Sequence, residues 1–323
     1  MGSTQFGNFK IATPADHPWV SQDFCRDSTL PVCNLFLVNQ PPNKNFDGCA
    51  LEGISLSGGR YLANLGMNCW DTIGLEWCVN SEYRIYSDRV HCHLGITLYA
   101  MEVGQEACRR RASIQLFLLG YIIIEICEVF TVGGLPIEDS VRKGFSAVHL
   151  GAITATCWIL LLNAFVGFQL LDDGTAASIG LISASAIVLF IGTGYIALDT
   201  AFNWSGHFVA NKDTYRNIAL YVLYQLFPLV CLFVFFVLET ILVLRVLGEY
   251  RPMLYLTGAA LLFAIGQIFQ YVISVHLCEA SSHAINGTLF ETFFTLLAVI
   301  GVWAFWSSIT EDDWPLPVGS GYN

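Results

Sequence analysis

The chain has 323 residues and a mass of 35.7 kDa; 54% of the residues are hydrophobic, 13% are charged, and the formal net charge is −11. Soluble proteins carry roughly a quarter charged residues, so about half the usual supply argues against a soluble enzyme and a disordered chain alike. The acidic balance leaves no phosphate-neutralising surface for nucleic acid. With a mean hydropathy of +0.56, the deciding question is whether the apolar residues gather in blocks long enough to cross a bilayer.

In chain order, residues 1–60 are polar and irregular, with Pro14, Pro18, Pro31, Pro41 and Pro42, several Asn and Gly residues, and Cys25, Cys33 and Cys49. No basic start followed by an apolar core marks a cleaved signal peptide. This segment is expected to form a short extramembrane cap. Residues 61–113 are ambiguous, because Asp71, Glu76, Glu82, Arg84, Asp88, Arg89, His91 and His93 stand where a helix would cross.

From Ile114 onward the reading changes. A bilayer core of roughly 30 Å needs about 20 apolar residues of helix. Ile114 to Val132 meets that length with only Glu125 and Glu128 as charges. Phe145–Leu171, Gly174–Leu198, Asn217–Leu238 (apolar on past Glu239 to Leu244), Pro252–Val275 and Thr292–Thr310 hold no Asp, Glu, Lys or Arg. None alternates with period two as a barrel strand would. The expected fold is an all-α, polytopic helical membrane bundle. It has six clear spans over 114–310, a further first span expected in the anomalous 61–113, and a short acidic tail, 311–323.

Charges buried in lipid cost about 2.5–3.5 kcal/mol each on insertion scales, so those present usually face the bundle interior. Glu125 and Glu128, three apart on one helix face, suit either a proton or ion site or a metal-binding pair, or else a protonated or hydrogen-bonded pair joining helices, with His149 as a partner on the next span. Glu239 and Glu291 sit near span ends, where a carboxylate can reach the interface. Gln169, Gln225, Gln267, Gln270 and Asn163 can bond between helices. Pro228 should kink its span or open its hydrogen-bond ladder. Gly258, Ala260 and Ala264 have the small side chains that let helices approach closely, either within the bundle or with another protein's helix. Trp303 and Trp306 read as interfacial anchors.

Basic loop residues hardly choose an orientation: Arg109, Arg110, Arg111, Arg245 and Arg251 lie on one side, and Arg142, Lys143, Lys212 and Arg216 on the other. The sequons Asn203-Trp204-Ser205 and Asn286-Gly287-Thr288 fall together on the second side, which would be lumenal if either is glycosylated. Cys25, Cys33, Cys49 and Cys278 would then share an oxidising compartment and could form one or two disulfides in three alternative pairings. Cys127, Cys157 and Cys231 lie inside spans as small apolar packers. No phosphate-binding loop, H-E-x-x-H or G-x-S-x-G motif occurs, so no cofactor, metal or catalytic residue is assigned.

Several long strings resemble the fungal chitin synthase export chaperone family. They are Glu125-Ile126-Cys127-Glu128-Val129-Phe130-Thr131-Val132-Gly133-Gly134, Phe145 through His149 to Trp158, Gly167-Phe168-Gln169-Leu170-Leu171-Asp172-Asp173-Gly174-Thr175, Asn217 to Gly248, and Ser308-Ile309-Thr310-Glu311-Asp312-Asp313-Trp314-Pro315. The likeness covers roughly 114 to 323, and Cys25 through Leu30-Pro31-Val32-Cys33 resembles the family's N-terminal cysteine region. The resemblance implies a seven-span protein of the endoplasmic reticulum membrane, with lumenal N-terminus and cytosolic tail. It would act without ATP as a chaperone that binds the membrane region of a chitin synthase and supports its export. Lipid and that synthase are then the partners.

Residues from about Asn68 to Ser113 depart from the family pattern. Shifted by one base, a back-translation of Met101 to Arg111 permits Trp-Arg-Ser-Asp-Lys-Lys-Pro-Ala-Val-Gly-Glu, close to the family's basic loop, so this window is read as mis-framed. Two rivals stand beside the chaperone reading. A seven-helix receptor or small transporter would use Glu125, Glu128 and the Pro228 break. An integral membrane hydrolase would use His149 with carboxylates.

Overall fold

The computed structural model describes residues 30–35, 112–132, 138–168, 175–208, 217–280 and 287–310. Among these, six helices are long and apolar enough to cross a membrane. They are α1 (Ala112–Val132), α2 (Asp139–Gly167), α3 (Ala176–Phe202), α4 (Ile218–Leu247), α5 (Arg251–Ile273, continuing as Ser274–Ala280) and α6 (Gly287–Thr310). No strand occurs among the described residues. The six-span, all-helical reading therefore holds. The 61–113 window and the 311–323 tail lie outside the described residues.

The helices run past the charge-free windows. α2 begins at Asp139, so Arg142 and Lys143 are helical; α3 continues through Asp199 to Phe202; α6 starts at Gly287 and includes Glu291. A charge-free window marks the greasiest stretch of a helix, whereas backbone hydrogen bonding carries the helix on into polar surroundings. Local caps define several ends. The Thr175 side chain accepts the Ser178 N–H at 3.2 Å, and the Asn217 side chain accepts the Leu220 N–H at 3.0 Å. At the far end of α4, Gly248 adopts φ 70° and donates its N–H to the Val243 carbonyl at 2.9 Å. That left-handed conformation suits glycine.

Neither α4 nor α5 is regular. α4 contains π-turns at Val222–Leu226 and Leu242–Leu247, and α5 contains one at Phe269–Ile273. The first lies immediately before Pro228, whose ring would collide with the carbonyl four residues back in a regular helix. Widening that turn accommodates the proline. This is the opened ladder expected from the sequence, and the helix continues beyond it.

α2 is the central helix. It packs against α1, α3 and α4, and two-thirds (67%) of its span is buried, against 22–39% for the others. α5 packs chiefly on α6. Small residues set the close approaches. A Cβ on Gly151 of α2 would lie 2.9 Å from the Phe190 carbonyl oxygen of α3, and one on Gly301 of α6 would lie 3.0 Å from Ala259 Cβ of α5. Gly120 of α1 faces Thr156 of α2 with no room for a side chain. The main core runs through Phe117, Tyr121, Ile159, Ala164, Phe235, Leu256, Val302 and Phe305. Leu181, Val188 and Ile191 on α3, Phe233 on α4, and Leu254 and Leu261 on α5 face outward, as lipid-facing residues should.

One short element plugs the bundle. Pro31–Leu35 forms a single helical turn at the end where α1 finishes and α2 begins. Leu30, Val32 and Leu35 are buried with Ala147 and Leu150 of α2, Ala197 and Ala201 of α3, and Leu220 of α4. Asn34 Nδ2 donates to the Thr131 carbonyl at 3.1 Å and to Ser146 Oγ at 3.0 Å. Thr131 belongs to the last turn of α1, whose carbonyls lack amides ahead of them in the helix. Asn34 therefore closes that helix end from about a hundred residues away in sequence.

Candidate functional site

The polar side chains that the sequence scatters over four spans meet in one seam, in the half of the bundle nearest that plug. α1 contributes Glu125 and Glu128, α4 contributes Gln225, α5 contributes Gln267, Gln270 and Tyr271, and α6 contributes Thr288, Glu291, Thr292 and Thr295. Thr292 Oγ1 lies 3.3 Å from Glu128 Oε1 and 2.7 Å from the Thr288 carbonyl. Thr295 Oγ1 donates to Glu291 Oε1 at 2.9 Å, and Gln267 Nε2 reaches the same oxygen at 3.4 Å. The Tyr271 hydroxyl donates to Gln225 Oε1 at 2.6 Å, joining the π-turns of α5 and α4. Thr288 Oγ1 donates to Gln270 Oε1 at 3.2 Å. π-turns concentrate at functional sites, and two of the three among the described residues border the seam.

Glu125 and Glu128 are thus brought together with a third carboxyl, Glu291, which acts electrostatically on both. His149 is not part of the seam. It is 4% exposed, and among the described residues neither ring nitrogen has a hydrogen-bond partner. The expected link from the glutamates to His149 is therefore absent: His149 shares the α2 face of Phe145, which stacks on Phe130, whereas the glutamates turn toward α6. Glu291 lies one turn inside α6, near the span end as expected, and its carboxylate accepts from Thr295 and Gln267 within the seam.

Glu239 differs more sharply from its expected place. It is fully buried, and among the described residues neither carboxyl oxygen has a hydrogen-bond partner. Trp306 likewise packs against the core beside Gly167. Helix rotation decides such cases, and distance from a span end does not.

The small residues divide by the same rule. Ala259 and Gly266 face α6, where a Cβ on Gly266 would lie 3.2 Å from the Glu291 carbonyl oxygen. Ala260 and Ala264 are exposed, and a Cβ on Gly258 would meet nothing within 4 Å. The three residues expected to serve docking thus lie off the α5–α6 contact, on an outer strip of α5 that the other described residues leave uncovered.

Both sequons are drawn into the fold or lie beside it. Asn203, at φ 54°, closes α3, and Ser205 is clasped by Asp199, its N–H on Oδ1 at 2.6 Å and its hydroxyl on Oδ2 at 2.8 Å. Asn286 is outside the described residues, while Thr288 of its sequon is buried on Gln270. Cys25 and Cys49 are outside the described residues; Cys33 lies in the Pro31–Leu35 turn and Cys278 in Ser274–Ala280. Cys127, Cys157 and Cys231 are free thiols packed in the spans. Among the described residues, no three or more His, Cys, Asp or Glu side chains are placed to hold a metal ion.

Six apolar helices, five of them arranged about the central α2, with a polar seam among them, define a polytopic helical membrane protein. A family model described as "Chitin synthase export chaperone" matches residues 21–320. The chain belongs to the chitin synthase export chaperone family. A relative of that name from Coccidioides immitis is 36% identical over 214 residues, covering 66% of this chain and 63% of its own length. One from Phaeosphaeria nodorum is 34% identical over 277 residues, covering 84% and 80%. One from Emericella nidulans is 32% identical over 210 residues, covering 65% and 62%. The match with the first of these relatives thus spans less than two-thirds of that protein. No solved structure matches.

Proposed function

We propose that this chain is a chaperone for export of a chitin synthase from the endoplasmic reticulum, acting by binding the client's membrane region without ATP and without catalysis. The observation that carries this reading is the family match across residues 21–320. The physical arrangement supports it. Helices that present open small-residue positions, such as Gly258, Ala260 and Ala264, can accept a partner helix at close range without displacing their own packing. Shielding client helices until they assemble requires contact and release, and neither step needs a nucleotide.

The same reading includes a lumenal N-terminus, a cytosolic tail and seven spans. The Pro31–Leu35 turn sits at the α2-starting end of the bundle, whereas α1 begins at the other end. That placement of the two described elements at opposite ends is what the proposed seventh span would require. The lumenal assignment follows the family resemblance; the sequons add little, since the hydroxyls of Ser205 and Thr288 are engaged.

The deciding experiment follows the synthase in cells lacking this chain. Intracellular retention, with surface delivery restored by re-expression, is expected; normal delivery would overturn the reading. Co-isolation of the synthase with Ala260→Leu or Ala264→Leu tests the outer α5 strip. Recovery equal to the parent would discard that strip as the docking face.

A further inference from the structure

We propose that Glu239 and the carboxyl-terminal end of α2 form a binding site for a small monovalent cation of the sodium or potassium class. Glu239 is completely buried, and among the described residues no donor reaches either carboxyl oxygen. It lies near Gly167 of α2, where an added Cβ would lie 3.0 Å from Leu242 Cδ2, 3.9 Å from Glu239 Oε1 and 3.9 Å from the Trp306 ring. Gly167 is the last residue of α2. The carboxyl therefore lies beside the last turn of α2, the negative end of that helix's dipole, where carbonyls have no amide ahead of them in the helix.

An acidic group at a helix carboxyl terminus is unfavourably placed unless something positive complements it. The basic side chains of Arg245 and Arg251, at the same end of the bundle, are exposed and do not supply the complement. Carboxylate and carbonyl oxygens are hard ligands, which select hard cations over transition metals. Charge fixes the valence. One carboxylate neutralises one positive charge, whereas a divalent ion would leave a net charge at membrane depth. Carbonyls at helix carboxyl ends serve this role for coupling ions in transport proteins. Here the bound ion would tie α2 to α4 beside α6.

The test uses the full chain purified in detergent and melted at constant ionic strength in sodium, potassium or N-methyl-D-glucamine chloride. The parent is expected to melt several degrees higher in one alkali cation than in N-methyl-D-glucamine, with a midpoint that keeps rising with ion concentration. Glu239→Gln should melt at one temperature in all three salts. An indifferent parent would overturn the proposal, as would an equal response in Glu239→Gln. Should Glu239→Gln fail to fold, equilibrium binding of radioactive sodium, competed by potassium, to the parent decides: about one ion per chain supports the site, and none refutes it. Tighter competition by calcium or magnesium would refute the monovalent assignment.

Discussion

Two glycine substitutions, chemically identical and both in the lipid-spanning part of the bundle, should move stability in opposite directions. Gly151 lies where α2 crosses α3. A Cβ there would stand 2.9 Å from the Phe190 carbonyl oxygen and 3.1 Å from its ring. Ordinary carbon–oxygen contact is roughly half an ångström longer than the first distance, and a backbone oxygen cannot rotate aside. The two helices must separate, which forfeits contacts along the interface. Overpacking of this kind costs about 1–3 kcal/mol, whereas replacing glycine by alanine in a helix returns about 0.5–1 kcal/mol. Gly151→Ala should therefore be destabilised by up to about 2 kcal/mol net, and Gly151→Leu by more. A Cβ on Gly192 meets nothing within 4 Å, so Gly192→Ala should keep the helix term alone and gain up to about 1 kcal/mol. Thermal unfolding of each full-length variant in one detergent gives the ranking. The expected order is Gly192→Ala at or above the parent, then Gly151→Ala, then Gly151→Leu. A Gly151→Ala melt at or above that of Gly192→Ala would refute the close α2–α3 crossing.

Asn34→Asp keeps the shape of the side chain but cannot donate, and it places a carboxylate beside the Thr131 carbonyl at the end of α1. It should lose about 1–3 kcal/mol and make the N-terminal segment more sensitive to protease, and unchanged digestion would show that the turn does not dock as described. Because Ser205 is held by Asp199, Asn203 should carry no glycan on the mature protein; a mobility shift on deglycosylation that disappears in Asn203→Gln would contradict the clasp. Sequencing the transcript across codons 68–113 is expected to show a frame giving an apolar span and a basic loop. An in-frame message encoding His91 and His93 would end that idea.

The π-turn before Pro228 was legible in the sequence because its cause is local: a ring and a missing amide act within one turn. The outward face of Ala260 and Ala264 was not, since small-xxx-small spacing fits inner and outer faces equally well. Their neighbours Ala259 and Gly266 turned out to meet α6. The seam was half legible. Glu125 and Glu128 could be assigned to one face, but Glu291 looked like an interfacial residue because the charge-free window begins after it. Thr288 and Thr295, three before and four after Glu291, follow its helical spacing and could have linked it to a common face.

By itself, the sequence determined that this chain lives in lipid, how many of its described segments cross, and which family it resembles, because each follows from the order and polarity of neighbouring residues. Only the tertiary structure decided that Glu128 meets Thr292, that His149 stands apart from both glutamates, that Asn34 closes α1, and that Glu239 points inward. Those outcomes depend on how each helix is rotated about its axis against its neighbours. That rotation is fixed by packing between segments up to 164 residues apart, a sum over many weak contacts that no single stretch of chain contains.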